Sequence, residues 1–491
     1  MQIKASRPNG TNTNEMNTPQ LRPYQQDLID RILQQLQTYR SVMGQLPTGG
    51  GKSVVFGAIT AHYASLGLRV LLIAHREELI IQGAKHLANW TQHPVGIIKA
   101  GYPFEPLFPI QFASIQTIVN RLDRLTDFDI VIIDETHHAT SNSYTQVLDR
   151  FPDAKILGLT ATPVRTDGKG FEGVFDVLEC GICTADLIEA GYLSPYRLFA
   201  APNGLITKGA RTKMGDYSIS DLEDLNDADV VAGDVVKSYQ EHANGATCIA
   251  FALSVKHSIC IADAYNKAGI PAQHIDAQTD SLIRKEALEK LKTAELKIIS
   301  NVGLFGEGVD VPTLDCVQIV RPTKSLGLHL QMLGRVLRVA EGKQYGLILD
   351  HAGNCQRLGL PDSIRGWGLD GKPQRAVMIE SEDDDDKVIK VREENTAFVP
   401  EIELLEVDSA AIIRREKALI EKLESQAPGW GRRYLEIVNQ QRFRSWKKYS
   451  IVYQLIDKQA PLVVWQAAAE YLGYKSGWGY YKWQESQAKA A

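Results

Sequence analysis

The sequence predicts an α/β protein: two similar parallel-sheet domains in tandem, followed by a smaller, mostly helical C-terminal domain. Three observations support this prediction. Short β-branched, apolar runs alternate with helical patterns, the alternation stops and restarts once, and the composition turns acidic and then basic after about residue 366. Continuous apolar strands separated by helices are typical of a parallel sheet covered on both faces.

The domain boundaries follow these changes of pattern. Residues 1–18 are rich in Asn and Thr and predict a disordered tail. The remaining boundaries are a first α/β domain at 19–202, a linker at 203–228, a second α/β domain at 229–365, an acidic linker at 366–408 and a helical C-terminal domain at 409–491.

Nine segments read as buried strands. Four lie in the first domain, at 69–75, 110–117, 129–135 and 154–162. Five lie in the second, at 246–252, 272–276, 296–302, 314–320 and 345–351.

The composition limits the class of protein. The chain has 491 residues, 54 Lys+Arg against 59 Asp+Glu (net charge −5), and 44% hydrophobic residues, which disfavours disorder and a membrane bundle. The most apolar stretch, 54–74, is interrupted by His62 and Arg69, and the N-terminus lacks a secretory signal. We therefore expect a cytoplasmic protein without membrane contact.

Cysteine usage agrees with a reducing compartment. Six cysteines are too few for a disulfide scaffold. Cys180 and Cys183 form a single CxxC, but a structural zinc site takes four ligands and no second pair lies nearby, so zinc is not expected.

After residue 365 the chain has an acidic segment followed by a basic one. Residues 366–408 hold 13 acidic and five basic residues, typical of a solvated linker, whereas 426–491 hold ten basic and four acidic residues and five of the seven Trp. These aromatic and basic residues fit either a packed helical core or a surface that stacks on unpaired bases.

A phosphate-binding loop is predicted at 46–53, LPTGGGKS, immediately before a helical pattern. Gly49, Gly50 and Gly51 would let backbone N–H groups approach phosphate oxygens, after Thr48 and at a helix N-terminus. Lys52 would reach the β and γ phosphates, and the Ser53 hydroxyl would bind Mg²⁺. Leu46 stands where the P-loop pattern has Gly.

A second element supports this interpretation. The segment DIVIIDETH at 129–137 is a buried strand that ends in two adjacent carboxylates. Asp134 is placed to hold Mg²⁺, and Glu135 to orient and deprotonate the attacking water. The sequence thus predicts an ATP- and Mg²⁺-dependent hydrolase.

With its phosphate loop and DETH segment, the chain resembles a superfamily 2 helicase or translocase of the DEAD/DEAH-like class. That resemblance implies two tandem RecA-like domains, and further motifs follow in order. LRPYQQ at 21–26 resembles the adenine-recognition element, with Arg22 and Gln25. AHREEL at 74–79 resembles motif Ia, TAT at 160–162 resembles motif III, FALSVKH at 251–257 motif IV, SNVGLFGEGVDVP at 300–312 motif V and QMLGRVLR at 331–338 motif VI.

The resemblance implies roles for individual residues. Arg335 and Arg338 would be arginine fingers that complete the ATP site when the two domains close, which can contribute about 10³ to 10⁵ in rate. Gly308 and Asp310 would lie near the ribose. The implied nucleic-acid contacts are Arg76, Thr117, Ser254 and Asn301, and the implied coupling residues are His137, Thr160, Thr162 and Gln331.

Within the superfamily, 158–171, RPTKS at 321–325 and motif VI look most like the RadD branch of bacterial DNA-repair ATPases and its phage relatives. Two departures stand out. Motif II has Thr136 where Ala is common, and no Cys follows Cys355, so the Cys-rich zinc module of that branch has no counterpart.

These similarities imply a helicase or translocase that acts on branched or single-stranded DNA in repair, recombination or phage replication. DNA is favoured over RNA as the substrate. A repair, replication or phage protein is expected as a partner, and a monomer is plausible. Three alternatives stay open: an ATP-driven clamp or remodeller that does not unwind, an RNA helicase, and a binding protein with a vestigial ATPase fold.

Overall fold

The computed structural model describes most of the chain up to residue 370 and parts of its C-terminal region. The described residues are 20–74, 77–136, 139, 142–165, 170–201, 204–305, 311–363, 365–370, 404–431, 433–434, 455, 460–471 and 482–484. They fall into two units. The first runs to Cys183 and is rejoined by 368–370, and the second starts at Thr184. Among the described residues, no helix is both long and apolar enough to cross a membrane.

The first unit is built on a seven-stranded parallel sheet in the order β3-β4-β2-β5-β6-β1-β7. Its strands are β1 Ser41–Gln45, β2 Val70–Ala74, β3 Val95–Ile98, β4 Ile110–Ser114, β5 Ile130–Asp134, β6 Lys155–Thr160 and β7 Val177–Cys180. Its helices are α1 Pro23–Thr38, α2 Lys52–Ser65, α3 Glu77–Thr91, α4 Ile115–Ile118 and α5 Asn142–Arg150, with a 3₁₀ turn at Leu122–Arg124.

Both faces of this sheet are covered. Val42 and Leu72 pack with α1, α2 and α3 on one face. Met43 and Ile73 pack with α4 and α5 on the other. Because alternate side chains of one strand enter two cores, neither face needs polar residues, which explains the continuous apolar runs in the sequence.

The second unit contains another seven-stranded sheet, in the order β12-β13-β11-β14-β15-β8-β16. Its strands are β8 Tyr196–Ala200, β11 Cys248–Phe251, β12 Ala272–Ile275, β13 Ile298–Asn301, β14 Cys316–Ile319, β15 Gly346–Asp350 and β16 Leu405–Val407, and a separate hairpin pairs β9 Thr212–Lys213 with β10 Asp216–Tyr217. Its helices are α6 Thr184–Glu189, α7 Ile219–Leu225, α8 Ala228–His242, α9 Val255–Lys267, α10 Ser281–Lys292, α11 Leu326–Leu333, α12 Asn354–Leu358, α13 Ser409–Gln426 and α14 Leu462–Tyr471.

The predicted fold class is confirmed, since each unit carries its own α/β sheet and all nine predicted segments contain a strand. Two boundaries need correction. The first domain does not extend to residue 202, because β8 pairs in parallel with β15, Phe199 opposite Leu349, in the second sheet. The segment 203–228 is not a plain linker, since it holds the β9–β10 hairpin and α7.

The C-terminal region is tied to the second sheet. Strand β16, inside the predicted acidic linker, pairs antiparallel with β8 and leads into α13. The Lys417 ammonium on α13 contacts Asp186 at 3.2 Å and Glu189 at 2.9 Å. A small core then forms around Leu423, Trp430, Leu455 and Trp465.

Candidate nucleotide site and motor motifs

The phosphate loop lies at the carboxyl end of β1, where the chain turns into α2. Strand β1 lies between β6 and β7, and β6 adjoins β5. Because parallel strands end at one edge of the sheet, this order brings the residues after β1, β5 and β6 into a row. The loop, the DETH segment and the TAT segment are therefore neighbours in the first unit.

The loop glycines have conformational reasons to be glycine. Gly49 has φ +86° and Gly51 has φ +89°, both left-handed, so side chains there would be strained. A Cβ at Gly51 would overlap Gln25 Nε2, and a Cβ at Gly50 would lie 2.9 Å from Leu46 Cγ. The side chains of Gln25 and Leu46 therefore pack directly against the loop glycines.

Helix α1 braces the loop through two side chains. The Tyr24 hydroxyl and Gln25 Nε2 donate to the Gly50 carbonyl oxygen at 2.9 and 3.1 Å. Gln25 Oε1 accepts from the Arg22 N–H at 3.0 Å, and Arg22 Nη1 donates to the Tyr24 hydroxyl at 3.2 Å. The Gln25 side chain is buried and holds the phosphate loop in this structure. Recognition of adenine by Arg22 and Gln25 stays a prediction.

The structure brings Lys52, the predicted catalytic lysine, close to the two carboxylates of motif II. Lys52 Nζ lies 3.5 Å from Glu135 Oε1, with 14% and 15% of the two side chains exposed. The Glu135 N–H donates to Asp134 Oδ1 at 3.0 Å. Glu135 has φ +50°, a conformation that non-glycine residues rarely adopt and that marks many active sites.

Thr136 connects motif II to motif III. Its buried hydroxyl donates to the Leu159 carbonyl at 2.9 Å and lies 3.3 Å from the Ile133 carbonyl. Its methyl group fills the space that a Cβ at Gly158 would need. The Thr found in place of the common Ala therefore binds the strand that leads into TAT, a contact that the sequence did not reveal.

Motif III is bonded in turn to the base of the phosphate loop. The Leu46 N–H donates to the Thr160 carbonyl at 3.0 Å, and Gln45 Nε2 donates to the Ala161 carbonyl at 3.0 Å. Thr160 and Thr162 bond each other, from Thr160 Oγ1 to the Thr162 carbonyl at 3.1 Å. The predicted coupling residues Thr160 and Thr162 are thus part of a continuous hydrogen-bonded path.

The residues of this site fit a nucleoside triphosphate with Mg²⁺. Thr48 Oγ1 is buried and has no hydrogen-bond partner within the described part of the chain, as expected of a group that waits for a phosphate oxygen or water. Lys52 supplies a cation and the loop follows the pattern of backbone N–H donors at a helix start. Ser53, which is exposed, and Asp134 supply the hard oxygen atoms that Mg²⁺ prefers.

The predicted arginine fingers follow α11 in the second unit, Arg335 in a turn and Arg338 in the irregular segment after it. Arg335 is 7% exposed, and its Nε donates to the Gln331 carbonyl at 3.3 Å, which ties two predicted residues together. The backbone of Arg338 is held from outside motif VI. Its carbonyl accepts from Ser194 Oγ at 3.0 Å and from Lys343 Nζ at 3.1 Å.

Lys343 collects three carbonyl oxygens around one ammonium group. Its Nζ also donates to the carbonyls of Leu314 at 2.6 Å and Val336 at 2.7 Å. All three carbonyls lie outside helices and strands, so the ammonium supplies hydrogen-bond donors that regular secondary structure does not provide there. Burial and the Arg338 guanidinium lower the Lys343 pKa to about 8, partly offset by Asp315.

Three of the predicted nucleic-acid contacts lie in the described part of the chain, where each takes part in a hydrogen bond within the protein. Thr117 is half-buried on α4 and accepts a 3.3 Å bond from the Ala100 N–H. Asn301 is fully buried, and its Nδ2 donates to the Ala250 carbonyl at 3.0 Å, so it holds the end of β13 in this structure, and its contact with nucleic acid stays a prediction. Ser254 is buried and caps α9 through the His257 N–H at 3.4 Å.

Four predicted site residues and most of the basic aromatic tail belong to segments that the structure does not describe. These residues lie outside the described part of the chain: Arg76, His137, Gly308, Asp310, Arg442, Arg444, Trp446, Lys447 and Lys448. Their roles stay predictions.

Comparison with protein families gives two matches. Residues 18–165 match the family described as type III restriction enzyme, res subunit, and residues 231–340 match the helicase conserved C-terminal domain. The first range contains the phosphate loop and DETH, and the second contains motif V and the arginines of motif VI.

Among curated proteins, a 51.5 kDa protein of Lactococcus phage isolate 7-9 is 36% identical over 325 residues, which cover 66% of this chain and 68% of the phage protein. IRC3 of Saccharomyces cerevisiae, named as an ATP-dependent helicase, is 27% identical over 68% of this chain and 52% of its own length. XPB2 of Sulfurisphaera tokodaii, named as a DNA 3'-5' translocase, is 26% identical over 65% of this chain and 79% of its own length. This chain therefore spans about half the length of the yeast relative.

Among solved structures, a fragment from Vibrio vulnificus YJ016 described as the HsdR subunit of a type I restriction enzyme superposes with a TM-score of 0.55 and 23% identity. The match covers 72% of this chain and 67% of the fragment. At this identity it shows the shared fold.

Proposed function

Because the chain belongs to the superfamily 2 helicases and translocases, we propose that it uses Mg²⁺-dependent ATP hydrolysis to move along DNA or to separate its strands. The observation that carries this proposal is that Lys52 Nζ lies 3.5 Å from Glu135 Oε1, at the start of the helix that follows the glycine-rich loop. The intact lysine and carboxylates disfavour a vestigial ATPase.

The chemistry is assigned residue by residue. Lys52 and the loop N–H groups bind the phosphates, while Ser53 and Asp134 would hold Mg²⁺, which neutralises charge on the phosphate oxygens when bound. Glu135 takes the proton of the attacking water. Arg335 and Arg338 supply the remaining positive charge, and the Thr136 bond to the Leu159 carbonyl carries the state of the site toward motif III.

DNA is the proposed track, in repair, recombination or phage replication. The archaeal relative named as a DNA translocase and the phage relative support this choice. An RNA track and a clamp that remodels complexes without unwinding are separate outcomes of the same measurements.

Steady-state ATP hydrolysis tests the proposal, with single-stranded, duplex or forked DNA, or RNA, added to the protein. We expect DNA to stimulate turnover, and Glu135→Gln to lower kcat by about 10² to 10⁴ because a general base contributes this much. Lys52→Ala should abolish turnover, whereas Glu172→Gln and Lys285→Ala, which alter exposed residues, should not change it.

The results separate the alternatives. Stimulation by RNA and not by DNA would refute the DNA assignment and leave the family intact. DNA-stimulated hydrolysis without strand displacement would favour a translocase or clamp. Turnover that survives both Lys52→Ala and Glu135→Gln would refute the assigned site.

A further inference from the structure

Glu179 on β7 is the centre of a polar cluster that joins this strand to α1. Its carboxylate forms an ion pair with Arg31 Nη1 and accepts from Gln35 Nε2 at 2.9 Å. Arg31 Nη2 also donates to the Cys180 carbonyl at 2.9 Å. Asp27, one turn earlier on α1, accepts from the same guanidinium at 3.1 Å. These hydrogen bonds orient Arg31 and fix α1 to the last two residues of β7.

An acidic residue is unexpected at this position. Val177 lies two residues earlier on β7, hence on the same face of the strand, and packs in the apolar core with α1. Only 14% of the Glu179 side chain is exposed, so an unpaired carboxylate there would be destabilising. Replacing a buried ion pair by apolar residues is often neutral or stabilising. The cluster is therefore better explained by the geometry that it fixes than by stability.

The same helix holds the phosphate loop at its first turn. The Tyr24 hydroxyl and Gln25 Nε2 donate to the Gly50 carbonyl at 2.9 and 3.1 Å. Arg31 and Gln35 lie about two to three turns further along α1. A helix moves as a rigid element over this length, so a shift of α1 against β7 also moves the side chains that hold Gly50.

Strand β7 itself reaches the base of the phosphate loop. It pairs in parallel with β1, Glu179 opposite Gly44. The Gly181 N–H donates to the Gln45 carbonyl at 2.8 Å, and a Cβ at Gly181 would lie 2.9 Å from Leu46 Cδ1. The helix, the loop, β1 and β7 thus form a closed ring of contacts, in which Glu179 joins the helix to the strand.

We propose that Glu179 and Arg31 are positioning residues for ATP, because their ion pair sets the position of α1 and, through Tyr24 and Gln25, the shape of the phosphate loop. Neither member of the pair contacts the nucleotide. The pair therefore governs the affinity for ATP and leaves the hydrolysis step, which depends on Glu135, unchanged. This inference rests on the proposed function, since it concerns the same ATP-hydrolysing site.

The substitution Glu179→Gln tests the pair with little change in shape. The amide replaces an acceptor oxygen by an NH₂ group, which then faces a donor of Arg31 or Gln35. Asp127→Asn is the matched control. Asp127 pairs with Arg150 at 2.7 Å in the same unit, and Arg150 has the same 35% exposure as Arg31. Both full-length variants are measured for the Kd of a fluorescent ATP analogue and for KM and kcat of DNA-stimulated ATP hydrolysis.

We expect Glu179→Gln to raise both the Kd of the analogue and the KM for ATP by about fivefold, which corresponds to about 1 kcal/mol. Its kcat should stay within about twofold of wild type, because the loss falls on binding. Asp127→Asn should match wild type in all three quantities. Gln35→Met removes only the neutral donor to Glu179 and should raise the Kd about twofold. This variant carries the same test if Glu179→Gln does not fold.

A second background tests the route through α1. Tyr24→Phe removes the hydroxyl that donates to the Gly50 carbonyl, so α1 holds the loop less firmly. If Glu179 acts through α1, Glu179→Gln should raise the Kd by a smaller factor in Tyr24→Phe than in wild type. Equal factors in the two backgrounds would overturn the proposed route.

Three results with the single variants would also overturn the proposal. These are an unchanged Kd and KM in Glu179→Gln, a fall in kcat of that variant without a rise in KM, and an equal rise of the Kd in Asp127→Asn. In each case ATP hydrolysis by the wild type leaves the proposed function standing. A wild type that binds the analogue but hydrolyses no ATP with any nucleic acid would refute the proposed function, and the Kd values would then decide the role of the pair.

Discussion

Replacing Lys343 by Met gives a quantitative test of how the motif VI turn is held. The Lys343 ammonium donates to three carbonyl oxygens at 2.6 to 3.1 Å. Hydrogen bonds to a charged group contribute about 1.5 to 3 kcal/mol each. The variant avoids the cost of burying the charge, which is about 3 kcal/mol because the Lys343 pKa is lowered from 10.5 to about 8. The free energy of the three hydrogen bonds is larger than this cost, so Lys343→Met should be less stable than wild type at pH 7.

The difference should also depend on pH in a defined direction. Between pH 8 and 10.5 the unfolded chain holds a proton on Lys343 that the folded protein has released. The free energy of unfolding therefore rises with pH by up to about 1.4 kcal/mol per pH unit in the wild type, and this contribution is absent from the variant. From pH 7 to 9.5 the advantage of wild type over Lys343→Met should grow by about 2 kcal/mol.

The assay is urea unfolding at pH 7, 8, 9 and 9.5, followed by the reactivity of Cys248 and Cys316, which are fully buried in the second sheet. Comparison of the two proteins at each pH cancels the titration of shared groups. Lys285→Met removes an exposed lysine and should show a pH-independent difference. A constant difference between wild type and Lys343→Met would refute the buried-ammonium account.

Three further predictions concern the nucleotide site. Thr136→Val keeps the shape but removes the donor to the Leu159 carbonyl, so the ratio of DNA-stimulated to basal ATP hydrolysis should fall while Thr136→Ser retains it; unchanged stimulation in Thr136→Val would contradict the coupling role. Gly51→Ala adds a Cβ that overlaps Gln25 Nε2 at φ +89°, so binding of a fluorescent ATP analogue should weaken by at least about tenfold. Chelation of Mg²⁺ should abolish turnover and added Mg²⁺ should restore it, and turnover that resists chelation would exclude the assigned roles of Ser53 and Asp134.

The sequence by itself predicted nine of the strands and the chemistry of the nucleotide site, but it did not predict β1, β3, β7, β8, β16 or the β9–β10 hairpin. Apolar periodicity and the residues that follow each strand are local signals, so the segments 129–135 and 154–162 and the loop 46–53 were predicted from the chain alone. The meeting of Lys52 with Glu135 follows because the strands before them end at one edge of a parallel sheet.

Tertiary structure decided which sheet each strand joins and which polar groups meet. Strand β8 has no local mark that assigns it to the second sheet, since that choice depends on pairing with β15, about 150 residues later. Asn301 has the residue type of a ligand contact, yet burial commits its amide to the Ala250 carbonyl. The partners of Thr136 and Lys343 are backbone carbonyls, which every residue carries, so only the folded chain shows which carbonyls these side chains reach.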